Sequence, residues 1–159
     1  MTSRRSTLFV CIFALTLIAV ACGDDGPTSP DGASFQGTWQ GTWQRTSCSE
    51  TGSAVGNACN QTPDTGALRL TLSQSGSNVE GSVEFGQVII PASGPVNNGT
   101  LRLAGSANLF GATWRLTNWS TTRSGNAMSG SFTMTIVPDN SGIGSQTVVI
   151  SLQNVTRAS

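Results

Sequence analysis

From residue 35 onward the chain alternates apolar and polar positions with a period of two, which places successive side chains on opposite faces of an extended strand. Phe35–Arg45, FQGTWQGTWQR, sets Phe35, Gly37, Trp39, Gly41 and Trp43 on one face and Gln36, Thr38, Gln40, Thr42 and Gln44 on the other. Ala67–Gln74 sets Leu68, Leu70 and Leu72 against Arg69, Thr71 and Ser73. After a turn at Ser75–Asn78, Val79–Phe85 returns with Val79, Gly81, Val83 and Phe85 inward, a hairpin pattern. Gln87–Ile90 is a short apolar piece that Pro91 stops. Thr100–Gly105 offers Leu101 and Leu103. Leu109–Ser120 offers Phe110, Ala112, Trp114 and Leu116, and Trp119 breaks that parity, which predicts a bulge, a strand end or an exposed ring. Ala127–Val137 is the longest alternation, with Met128, Gly130, Phe132, Met134 and Ile136 inward. Gln146–Arg157 ends the chain with Val148, Ile150 and Leu152 inward.

Eight strands and no helix, with turn signals about every ten residues, predict an all-β domain over residues 35–157. Its expected form is a single antiparallel up-and-down β-barrel of about eight strands, with a β-sandwich as the alternative. Alternation on every strand means one face packed and one face in water. A membrane-spanning barrel needs the reverse, with apolar residues outward.

The first 34 residues follow a different pattern. Met1–Thr7 carries Arg4 and Arg5, and Leu8–Ala21 is apolar apart from Thr16. That run is short of the roughly 20 residues of a transmembrane helix and has the length of a signal-peptide hydrophobic region. It ends Ile18-Ala19-Val20-Ala21-Cys22-Gly23. This resembles the lipobox of bacterial lipoproteins, with Ala19 where that family prefers Leu. The resemblance implies a signal peptide over 1–21, cleavage before Cys22, and acylation (palmitate among the acyl groups) of Cys22. It also implies a membrane anchor, and Gly23 after the Cys implies export to the outer membrane. The alternative is an ordinary secretory signal that leaves Cys22 as a free thiol. Gly23–Ser34, GDDGPTSPDGAS, has nothing to bury, so residues 22–34 are expected to form a lipidated, disordered tether.

Composition then removes whole classes of chemistry. Charged residues are only 10% of the chain, and His, Lys and Tyr are absent. Without His the usual general base and the commonest metal ligand are missing. No nucleophile elbow, phosphate loop or metal cluster occurs, and Glu80 and Glu84 share an outward face. The expectation is a protein that is not an enzyme, has no cofactor and no metal, and does not bind nucleic acid, which calls for a basic patch. Cys48 and Cys59 are the two thiols left once Cys11 is removed and Cys22 acylated. In an oxidising compartment they are expected to pair as a disulfide. The Asn-x-Ser/Thr triplets at Asn60, Asn98, Asn118 and Asn154 carry little meaning in a bacterial lipoprotein.

Gly37-Thr38-Trp39 at the start of a β domain resembles the G-x-W of lipocalins and related calycin barrels. Many small bacterial lipoproteins are similar, with a following L-x-L-x-Q-x-G-x-x-V-x-G, here Leu70 to Gly81. The resemblance implies that Arg157 on the last strand stacks across Trp39. Lipocalins also carry a helix before the last strand, which this chain lacks, so a helix-free or avidin-type barrel is an equal comparison. Eight large residues are read as barrel interior: Trp39, Trp43, Phe85, Phe110, Trp114, Met128, Phe132 and Met134. They either plug the barrel or line a cavity for one small ligand, and no polar group is read as inward at mid-strand. Two roles stay open for a lipid-anchored envelope protein: binding a small apolar or amphipathic molecule, or a non-enzymatic structural or protein-interaction role with a filled barrel. The end loops are the second place to look for function.

Overall fold

The computed structural model describes residues 34–52, 58–140 and 144–159. The expected signal peptide, Cys22 and nearly all of the tether lie outside the described residues. What is described is a closed antiparallel barrel. Its strands are β1 (Gly37–Glu50), β2 (Thr65–Ser75), β3 (Asn78–Phe85), β4 (Val88–Asn97), β5 (Thr100–Leu101), β6 (Ala104–Leu109), β7 (Ala112–Ser124), β8 (Ala127–Pro138) and β9 (Gln146–Arg157), with one short helix α1 (Ala58–Gln61). The sheet runs β3-β2-β1-β9-β8-β7, then β5 and β6, then β4, and β4 pairs back onto β3 to close it. The two-residue β5 and the longer β6 each lie between β4 and β7. Together they fill one position in an eight-position barrel, interrupted at Arg102–Leu103.

The period-two reading carries over to the packing. Leu68, Leu70, Leu72, Val79, Val83, Phe132, Val148, Ile150 and Leu152 are all buried in one core with Phe35, Trp39 and Trp43, and burial alternates residue by residue along β2. Closure explains why this works. A barrel has one inside, so every strand must send alternate residues to the same core.

Two sequence expectations change, and a third is narrowed to one of its alternatives. The fourth strand does not stop at Pro91 but runs through Pro91 and Pro95 to Asn97. Pro95 turns its carbonyl away from β3, accepting a hydrogen bond from Arg102 N at 3.0 Å, and Pro91 has the same parity. On that side β4 pairs with its neighbours only at Ala92, Ser93, Val96 and Asn97, so neither missing N–H removes a ladder bond. The sixth strand does not begin at Leu109. Leu109 pairs with Ala112 across a two-residue turn, Phe110-Gly111, with both φ values positive at 54° and 72°, the geometry that matches the twist of flanking strands. Phe110 is therefore at a hairpin tip and 71% exposed; it is no part of the interior. Trp119 sits after a bulge, as its broken parity suggested, and its ring is buried. The β7–β8 register shifts between Thr117 and Ser120, and Asn118 takes the left-handed conformation at φ 52°. Asn98 and Asn154 are also left-handed, so three of the four Asn-x-Ser/Thr asparagines sit where the backbone favours Asn over other non-glycine residues.

Candidate functional site

The two ends of the barrel are built differently. The chain enters at the end that carries the turns after β2, β4 and β7 and the end of β9. Phe35 is fully buried beneath this end, its backbone N–H donating to Gln74 Oε1 at 2.7 Å. Gln74 Nε2 donates in turn to the Gly76 carbonyl at 2.9 Å, and Trp39 Nε1 donates to the Phe35 carbonyl at 2.8 Å. Two guanidinium groups lie on the Trp39 ring, Arg157 at 5.7 Å and Arg123 at 5.9 Å from its centroid, within cation–π range. Arg157 also donates to the Gln36 carbonyl and Arg123 to the Ser34 carbonyl. Gly37 makes room for this. A Cβ there would lie 2.8 Å from Arg157 Nε, and its φ is +119°, a conformation open to glycine. The second arginine, Arg123, was not read from the sequence; its place opposite Trp39 depends on the β7 bulge.

Above this stopper the interior is filled. Phe132 stacks on Trp119 at 4.6 Å and tilts against Phe85 at 5.5 Å. Met128 is buried near the stopper, where it pairs with Val155. The filling stops at the Phe85 level. Beyond it, at the other end, lies an apolar cavity of about 440 Å³, lined by Trp43, Phe85, Val88, Trp114, Met134 and Ile136, and by Gln146 and the cap residues Ala58 and Gln61–Pro63. Cross-strand register assembles its wall, because Trp114 is level with Ile136 and Ile136 with Gln146. Gly66, opposite Trp43, admits the indole: a Cβ there would sit 2.7 Å from Trp43 Nε1.

The cap is the segment from α1 to Asp64. A disulfide between Cys48 and Cys59 ties it to β1, with Cα atoms 5.8 Å apart. Arg45 pairs with Asp64 and donates to the Cys59 carbonyl, and the Glu50 carboxylate accepts from Cys59 N. Gln146 Nε2 reaches Thr62 Oγ1 at 2.6 Å. Three polar side chains, Gln74, Thr121 and Gln146, are buried near strand ends, positions that the expectation of no inward polar group at mid-strand leaves open. Each is hydrogen-bonded, as burial of a polar group requires.

The eight residues read as interior thus fall into three sets. Trp43, Phe85, Trp114 and Met134 line the cavity; Trp39, Met128 and Phe132 belong to the filled part; Phe110 is outside. Other concavities among the described residues are troughs on the outer surface, such as the one between β2, β3 and β4 around Ser73, Glu80 and Ser93. No group of three or more His, Cys, Asp or Glu side chains that could hold a metal occurs among the described residues. Fold and site together define a small antiparallel β-barrel with one stoppered end and one capped apolar mouth. No family model, curated protein or solved structure matches the chain.

Proposed function

We propose that this chain is a lipid-anchored, non-catalytic protein of the cell envelope whose barrel mouth binds a small apolar or amphipathic molecule. The observation that carries the binding reading is the mouth itself. Its volume falls in the lower part of the roughly 300–1,000 Å³ range of small-molecule sites, and it has their make-up of aromatic walls with a few polar groups. The anchor rests on the sequence pattern ending at Cys22, and multiple acyl chains make such anchoring stable. Outer-membrane placement rests on Gly23.

Native mass spectrometry and solvent extraction of the purified chain test the binding reading. A co-purified small molecule, or a thermal shift with an apolar panel, is the expected result. A clean apo mass with no shift across the panel would overturn it. Peptide mass spectrometry of the membrane-derived chain should find an acylated Cys22 at the N-terminus; a free Cys22 thiol would remove the anchor. A second reading, a structural or protein-interaction lipoprotein, draws support from the filled interior between Trp39 and Phe85 and from Phe110 standing exposed at the mouth end. A clean apo result would leave that reading in place.

A further inference from the structure

The mouth is apolar, and it is also free of charge. Its polar wall residues are Gln61, Thr62 and Gln146, all neutral, and no ionisable side chain lines it. Among the described residues of the connections at this end, 51–52, 58–64, 86–87, 110–111, 139–140 and 144–145, and the β1 end beside the cap, the charged side chains are Glu50, Asp64 and Asp139. All three are acidic; Asp64 is held by Arg45, and the Glu50 carboxylate accepts from Cys59 N. Arg45 has no guanidinium face to spare for the cavity, since it also serves the Cys59 carbonyl and borders a trough on the outside of the barrel. Arg69, on the outward face of β2, lies opposite Glu84 at 3.9 Å.

An ionised head group drawn in among these lining residues would give up water and meet no opposite charge on the cavity wall, which is the costliest form of polar burial. A neutral head meets better terms. The indole N–H of Trp43 and the amide of Gln61 have no hydrogen-bond partner among the described residues, whereas the indoles of Trp39, Trp114 and Trp119 are each bonded within the protein. We propose that the mouth selects uncharged apolar molecules bearing a hydroxyl or carbonyl group and rejects ionised amphiphiles of either sign. This rests on the ligand-binding reading above and narrows it to a chemical class.

The test uses the full lipidated chain in phosphatidylcholine nanodiscs, titrated by calorimetry against empty discs. Three probes share one ten-carbon chain: 1-decanol, decyl sulfate and decyltrimethylammonium. The two ions are permanently charged, so no titration of the head group blurs the comparison. Decanol binding more than about tenfold tighter than both ions is the expected result. Either ion within that margin overturns the charge selection and leaves ligand binding standing. Heat from none of the three beyond that of empty discs overturns the binding reading as well.

Discussion

The stoppered end and the mouth use the same kind of side chain to opposite effect. Trp39 and Trp43 come from a repeated Gly-Thr-Trp-Gln and point the same way from one strand. Around Trp39 every polar atom is spoken for and two arginines cover the ring from outside. Around Trp43 the neighbours are a glycine, a short cap and empty space. The stopper is held by packing and by hydrogen bonds from the ends of β1, β2, β7 and β9, the mouth by one disulfide and a few polar contacts on a helix of four residues. Low local stability is where ligand access is expected, and high local stability sits where the chain enters the fold.

The largest test of this contrast replaces one tryptophan at each end. Trp39→Ala should destabilise the protein by about 3–5 kcal/mol in a denaturant titration. Trp114→Ala, half-buried in the mouth wall, should cost less than about 2 kcal/mol while weakening any ligand binding. Equal losses would mean that the two ends are not energetically distinct. Next in size, Cys48→Ser with Cys59→Ser should lower stability by up to about 3 kcal/mol, the chain-entropy value for a loop of this length. Faster amide exchange should follow at Ala58–Thr62 and not at Phe35–Trp39. A uniform rise in exchange across both ends would show that the cap is not an independent unit. Arg157→Ala should cost about 1 kcal/mol and shift the near-ultraviolet signal of the buried indoles. An unchanged midpoint and spectrum would reduce the stack on Trp39 to a surface contact. The smallest effect has the opposite sign. Phe110→Asn should stabilise by up to about 1 kcal/mol, because Asn tolerates the left-handed conformation better than a bulky ring. A loss of stability would mean the Phe110 ring packs against something that its exposure does not show.

Much of the fold was legible because strand parity is a local property. Two residues of sequence decide which face a side chain occupies, so the inward sets of β2, β8 and β9 could be named without a structure. The failures have local causes as well. Phe110-Gly111 lacks the Asn-Gly or Asp-Gly that usually marks a two-residue turn, and its aromatic ring suited the alternation on either side, so the turn was read as strand. Pro91 was read as a stop because the pattern does not reveal which edge of a strand is unpaired.

Parity says nothing about height along the barrel axis, and height separates plug from cavity. The sequence by itself determined an all-β domain with an apolar inside, a polar outside, very little charge, and two thiols placed to meet across one loop, while leaving barrel and sandwich both open. Tertiary structure decided that Arg123 joins Arg157 over Trp39, that Phe85 and Phe132 end the filling, and that Trp43 and Trp114 share an open mouth with an uncharged lining. Those outcomes depend on register between strands up to a hundred residues or more apart, as in Trp43 opposite Leu152. Closure of the whole sheet sets that register, and no short stretch of chain encodes it.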